Sequence, residues 1–244
     1  TTFSAYYLNA GVWTLLKSYA TSYSGTVYPR LFARNDATAT SISGNFDNFK
    51  ASATPTWSTA GKFSNALSFD GTDDYVSVPA SASINGGWAA MTLEGWFKFN
   101  NTTGLMNLID RRNAADTIRN YQLQFNRGGV CPSGSIAFFV YNSPSFLVDR
   151  CTSSAVITST TDWYHIAAVY DGTSAGTKIY INGTAVGTTD LNAFIGGTIP
   201  TVTDNYLAIG RWSNGGGQYF NGSFDEAAVY SAALTPAQIS EHYR

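Results

Sequence analysis

Three aspartates crowd into one short turn, Asp70-Gly71-Thr72-Asp73-Asp74, and carboxylate oxygens gathered in a turn suit a hard cation such as Ca²⁺. Glycoside hydrolysis with retention needs two carboxyl groups about 5 Å apart, one as nucleophile and one as acid/base. Glu94, Glu226 and Glu241 are the only glutamates, and they are scattered. A Ser-His-Asp arrangement would have to use His165, because His242 sits on the last predicted helix. The glycine-rich turns, Asn182-Gly183 among them, have no strand-to-helix context for binding phosphate. Two cysteines and two histidines this far apart argue against zinc.

Two further groups of residues could contact a ligand or carry a modification. The loop Trp212-Ser213-Asn214-Gly215-Gly216-Gly217-Gln218-Tyr219 joins aromatic rings to amides, as recognition of a sugar requires, and Arg111, Arg112 and Arg119 lie on or near another loop. The alternative is that these glycines only make a wide turn. Sequons occur at Asn100, Asn101, Asn182 and Asn221, each at a predicted turn or strand end. Cys131 and Cys151 flank a predicted hairpin turning at Asn142-Ser143-Pro144-Ser145. A disulfide there would contribute roughly 3 kcal/mol, and two inert thiols are the alternative.

The elements that must position these residues are strands. Lys178-Ile179-Tyr180-Ile181-Asn182 alternates, while Trp163 to Tyr170 is nearly continuous in apolar and aromatic residues, so one strand is half exposed and the other buried on both faces. Asp171 to Gly176 is all turn-forming, and an antiparallel hairpin follows. From Lys62 onward strands are predicted at 65–70, 74–78, 92–99, 106–112, 120–127, 135–141, 146–150, 162–170, 177–182, 184–189, 206–212 and 222–230. Many short strands with regular turns argue for an all-β antiparallel sandwich. Gly95 allows close packing in a central strand, and one short C-terminal helix starts with Thr235 as N-cap and Pro236 at N1, docking through Ile239 and Tyr243.

The chain resembles the LamG-like jelly-roll domains of the concanavalin A-like lectin/glucanase superfamily. The resemblance rests on Trp163-Tyr164-His165-Ile166-Ala167-Ala168-Val169-Tyr170-Asp171-Gly172 followed by Lys178-Ile179-Tyr180-Ile181-Asn182-Gly183. Ala66 to Gly71 with Asp74-Tyr75-Val76, Thr92 to Lys98, and Phe224 to Tyr230 before Ala233-Leu234-Thr235 agree with it, covering about residues 62–244. It implies a jelly roll hosting lectins, adhesins and accessory modules. The superfamily's hydrolases carry paired acidic residues in one strand motif, which this chain lacks, so no enzymatic activity is expected. His165 takes the family's buried, hydrogen-bonded imidazole position. Related domains often hold Ca²⁺ with a late-strand Asp, so the resemblance implies Asp225 first, Asp70 second and Asp73 or Asp74 third as ligands. The alternative is that Asp70 and Asp225 cap turns.

Composition narrows the partners. The hydrophobic fraction of 44% supports a sizeable core, and charged residues are only 12%, about half the usual share. A surface of Thr, Ser, Asn, Gly and Tyr suits a secreted or cell-surface protein. A net charge of −2 without a basic run argues against nucleic acid and anionic membranes, and no window is long and apolar enough for insertion. The N-terminus lacks both Met and the pattern of a signal peptide, as a processed or trimmed chain would.

Residues 1–55 stand apart. Val12 to Tyr19 and Thr26 to Arg34 read as strands, and Ser43-Gly44-Asn45-Phe46-Asp47-Asn48 echoes the chain's own Gly222-Ser223-Phe224-Asp225-Glu226. They resemble the closing strands of a second, partial sandwich, or else form an irregular extension of one domain. Two functions follow. The first is a non-catalytic extracellular module that binds glycans or cell-surface and matrix components, stabilised by Ca²⁺. The second is a structural subunit of a filament, sheath or particle, a homopolymer in which residues 1–50 complete a neighbour. The role of the first fifty residues separates the two.

Overall fold

The computed structural model describes residues 2–9, 12–20, 50–52, 55–142 and 144–244, the first three stretches as backbone. In chain order the first strands are β1 (Thr2–Asn9), β2 (Val12–Ala20), β3 (Lys50–Ser52), β4 (Thr56–Gly61), β5 (Ser64–Asp70) and β6 (Tyr75–Val78). Next come β7 (Met91–Phe99), β8 (Met106–Arg112), β9 (Ile118–Phe125), β10 (Ile136–Asn142), β11 (Ser145–Thr152) and β12 (Trp163–Tyr170). The chain closes with β13 (Lys178–Ile181), β14 (Thr184–Ala185), β15 (Thr188–Asp190), β16 (Leu207–Ile209), β17 (Asn221–Tyr230) and helix α1 (Pro236–Tyr243).

Two antiparallel sheets make the sandwich. One runs β15-β11-β10-β9-β8-β16-β6-β3 and the other β14-β13-β12-β7-β17-β5-β4, while among the described strands β1 and β2 pair with each other and with no other. The core lies between the sheets, where Phe97 and Phe99 of β7 meet Phe125, Phe220 and Phe224. Alternation explains β7: Leu93, Phe97 and Phe99 point into this core, and Thr92, Glu94, Trp96 and Lys98 point to the other face. Gly95 is required because a Cβ there would meet the Phe224 ring at 2.5 Å.

The nearly continuous apolar run of β12 is buried on both faces, as its sequence predicts. Tyr164, Ile166, Ala168 and Tyr170 enter the main core, while Ala167 and Val169 form a second cluster with Tyr180, Leu234 and Ile239 beneath α1. The helix is fixed at its start by a capping box between Thr235 and Gln238 with Pro236 following the cap. Among the described residues no helix is long and apolar enough to cross a membrane.

Several boundaries differ from the sequence reading. The strand expected at 184–189 is two, because the chain leaves one sheet after β14 and enters the other at β15. The one expected at 206–212 stops at Ile209, where Gly210 takes a left-handed φ of 90°. The sandwich also begins before residue 62: β3 pairs with β6 and β4 with β5, so each sheet gains a strand from 50–61. The expected segment Thr26 to Arg34 and the Ser43 to Asn48 echo lie outside the described residues.

Candidate functional site

Two places on the sandwich gather polar side chains. The first is the turn after β5. Asp70 accepts the Thr72 N–H at 2.7 Å, and Asp74 accepts the Asp70 N–H at 2.9 Å, so the turn folds its own carboxylates together. Oxygens of Asp70, Asp73 and Asp74 all lie within 4.8 Å of one another. They line an open cleft with Thr56, Ser68 and Asn100. Asp74 is only 7% exposed, and burial pushes its carboxyl above the usual range. A hydrogen bond from Asp70 opposes that rise, and the charges of Asp70 and Asp73 add to it. Oxygen donors with concentrated negative charge fit a hard cation.

Asp225, ranked first from the resemblance, is not among them. It lies on β17 opposite Trp96, whereas Asn221 of that strand faces Asp70. Four strand residues separate the two positions by about 13 Å. Its Oδ2 accepts the Phe63 N–H at 3.0 Å and its Oδ1 the Glu226 N–H at 3.0 Å, so it ties the β4–β5 turn to β17. The structure thus brings Asp70, Asp73 and Asp74 together and leaves Asp225 apart from them, as a turn anchor whose pKa burial raises.

The second place is the loop between β16 and β17, folded against β8. Ser213 donates its N–H to Asp110 at 2.7 Å, and Gln218, at a φ of 65°, accepts from Asn107 Nδ2 at 2.8 Å and Gln124 Nε2 at 2.9 Å. Gln122 in turn donates to Asn107, giving a buried amide network. The Trp212 indole lies 4.8 Å from the Arg112 guanidinium and packs on Gly216, where any Cβ would strike the ring. The indole Nε1–H is buried without an acceptor. Trp212, Gln218 and Tyr219 are half-buried, and Asn214 is exposed at the tip.

Arg111 and Arg112 were expected on the ligand surface, and here the structure corrects the expectation. Both are fully buried. Arg112 pairs with Asp110 at 2.7 Å and Asp116 at 2.9 Å, and Arg111 donates to Asn85, Val202 and Asn205. A buried cation must be paired or hydrogen-bonded, so Arg111 ties β8 to Asn85, Val202 and Asn205 while Arg112, held by its carboxylates, lies against the Trp212 ring. Arg119 pairs with Asp116 beside them. The amide network escaped the sequence reading, although Gln122 and Gln124 alternating with Leu123 and Phe125 is a visible sign of a polar outer face.

Cys131 and Cys151 form a disulfide, with Cα atoms 6.3 Å apart. Of the sequons, Asn100 is exposed and donates to Asn221 at 2.9 Å, Asn101 follows it, and Asn182 uses its carbonyl oxygen to accept the His165 N–H at 2.9 Å. His165 is buried with Nε2 3.5 Å from Glu94.

A family model of the concanavalin A-like lectin/glucanases superfamily, Laminin_G_3, matches residues 70–240. The chain belongs to that superfamily. Both polar sites fall within the matched span. Among solved structures, domain 4 of AbnA, an extracellular arabinanase of Geobacillus stearothermophilus, in complex with arabinotriose, is similar at 19% identity and a TM-score of 0.58. The similarity covers 82% of this chain and 90% of that one. A putative carbohydrate-binding protein of Bacteroides ovatus is 22% identical with a TM-score of 0.52, over 72% of this chain and 46% of that one. The receptor-binding domain of botulinum neurotoxin D is 11% identical with a TM-score of 0.58, over 88% and 52%. The chain thus spans nine-tenths of the first and about half of the other two. At these identities the likeness is one of fold. No curated protein matches the sequence.

Proposed function

We propose that the chain is a non-catalytic carbohydrate-binding module that works outside the cell on glycans of surfaces or matrix, with a Ca²⁺-stabilised turn. The observation that carries this reading is the Trp212 loop. A partly exposed indole, held in place by a buried guanidinium, shares one loop with the exposed Asn214 and the half-buried Tyr219. Rings and amides on one preformed loop are what a sugar needs, a face to pack on and donors and acceptors for its hydroxyls. Membership of a lectin/glucanase superfamily supports the reading, as does the arabinotriose named with the arabinanase domain.

Non-catalytic action is supported by where the glutamates lie. Glu94 is clamped under α1, Glu226 sits on an exposed bulge of β17, and Glu241 is on the outer side of the helix. Asp70, Asp73 and Asp74 would hold Ca²⁺, which would supply charge neutralisation and tie the turn together. The sequons at Asn100 and Asn101, in the β7–β8 loop, are the ones we expect to be modified where the pathway exists; intact mass of source material reads this directly.

Calorimetric titration against arabinotriose and a broad glycan panel, with and without EDTA, tests the function. Binding that disappears in Trp212→Ala and weakens at least tenfold in Asn214→Ala is expected. No binding of any glycan in either condition, by a folded protein, would overturn it.

A further inference from the structure

A sandwich of two open sheets has four edges, and proteins protect edges with charge, shortness or cover. Three are protected here. The strands β15 and β3 are three residues long, carrying Asp190 and Lys50, and β14 is two residues long and abuts α1. The fourth edge, β4, is different. Thr56-Trp57-Ser58-Thr59-Ala60-Gly61 has six residues and no charge. Its outer side hydrogen-bonds to no described strand, and its one irregularity, between Ser58 and Gly61, lies toward the turn. Trp57 is 52% exposed, and Phe63 just beyond the strand is 46% exposed.

The same chain carries a complementary element. β1 and β2 form a hairpin of eight- and nine-residue strands, and Lys17 is the single charged residue in both. A lone two-stranded hairpin is marginal in water and gains stability by joining a larger sheet. Among the described strands this one joins neither sheet. Among the described residues, the uncharged β4 edge and the edges of a hairpin with a single lysine are therefore unpaired, and they do not pair with each other.

We propose that the β1–β2 hairpin of one copy adds to the β4 edge of a second copy, extending its seven-stranded sheet by β-augmentation. Donor and acceptor are different surfaces, so the contact is head-to-tail. Every added copy presents a fresh edge, which gives a ring if the rotation closes and a filament if it does not. This inference is independent of the glycan reading.

Light scattering after size exclusion tests it with two variants of the full chain. Trp57→Lys with Thr59→Lys charges the acceptor edge, and Tyr7→Pro breaks the donor hairpin. Wild type is expected to exceed the 26.2 kDa of one chain, increasingly with concentration, while each variant stays at one chain. Mixing the two leaves one good donor and one good acceptor, so a species of two chains is expected and nothing larger. Thermal melting confirms that both variants fold, and Thr59→Lys alone, at an exposed position, replaces the double variant if that one does not. Monomeric wild type at all concentrations, a folded variant that assembles like wild type, or a folded mixture that stays monomeric would each overturn the proposal.

Discussion

The carboxylate of Glu94, in the middle of β7, lies 2.8 Å from Nδ1 of His242, on the last turn of α1. The same oxygen accepts the Tyr230 hydroxyl at 2.9 Å, and His165 approaches the other oxygen. Tyr243, next to His242, stacks on Trp96 with centroids 5.5 Å apart. One buried carboxylate thus joins three elements, β12, β17 and the helix, over the outer face of the sheet.

That geometry sets a pH dependence. Burial pushes the Glu94 carboxyl up, but hydrogen bonds from His165 and His242, and their charges when protonated, outweigh it and hold the pKa at about 2. The folded value lies below the unfolded one of about 4.3, so the stabilisation is full above that pH and is lost as pH falls toward 2. Denaturant unfolding should show stability falling between pH 5 and pH 2 by up to roughly 3 kcal/mol from this group. Glu94→Gln should be less stable at pH 7 and should flatten the slope in that window. An unchanged slope in the variant would remove Glu94 as its source.

The glycine at 95 makes a packing prediction. Phe224 stacks on Phe97 at 4.5 Å between centroids, so its ring has little room to yield to a methyl group from β7. Gly95→Ala should cost about 1–3 kcal/mol through overpacking. Gly128→Ala, where a Cβ meets nothing within 4 Å, should stay within about 0.5 kcal/mol of wild type. Equal melting temperatures for the two variants would contradict this packing.

Gln218 holds the loop by accepting two buried amide donors. Gln218→Ala would orphan Asn107 Nδ2 and leave Gln124 Nε2 only a long bond to Asn107 Oδ1 at 3.4 Å, at about 1–3 kcal/mol for a donor left buried without a partner. Gln218→Glu keeps an acceptor in place and should recover most of the loss. Hydrogen exchange at the backbone N–H groups of Asn107 and Ser213, which bond the loop to β8, reads local opening apart from global stability. If alanine leaves both amides as protected as in wild type, the network does not anchor the loop.

Local pattern made much of the sandwich readable. The double-sided burial of β12, the core glycine of β7 and the capped helix all follow from residues adjacent in sequence. Asp110 and Arg112 could also have been read as a pair, because residues two apart on a strand share a face. Their burial was hidden, since it depends on a loop a hundred residues later. The role of Asp225 was out of reach for the same reason: its partner, the Phe63 N–H, is 162 positions away. The edge strands β3 and β4 went unread because β3 is three residues long and β4, with Trp57 exposed, shows no apolar alternation, so both take their character from the sheets they join.

The acidic turn and Asp225 give the cation a discriminating test. Asp70, Asp73 and Asp74 bring oxygens together, while both oxygens of Asp225 are occupied by the N–H groups of Phe63 and Glu226. Added Ca²⁺ should therefore raise the melting temperature of wild type, with about 2.7 kcal/mol of stabilisation at a hundred times the dissociation constant. Asp73→Asn removes a carboxylate from the exposed rim of the cluster without touching the turn's backbone bonds, and should abolish the shift while leaving the apo protein as stable as before. Asp225→Asn should do the reverse, lowering stability by loosening the β4–β5 turn and leaving the Ca²⁺-dependent shift intact. No shift in wild type would end the calcium reading. A shift lost only in Asp225→Asn would return Asp225 to the ligand set, because its carboxylate would then have to exchange those two N–H groups for the metal.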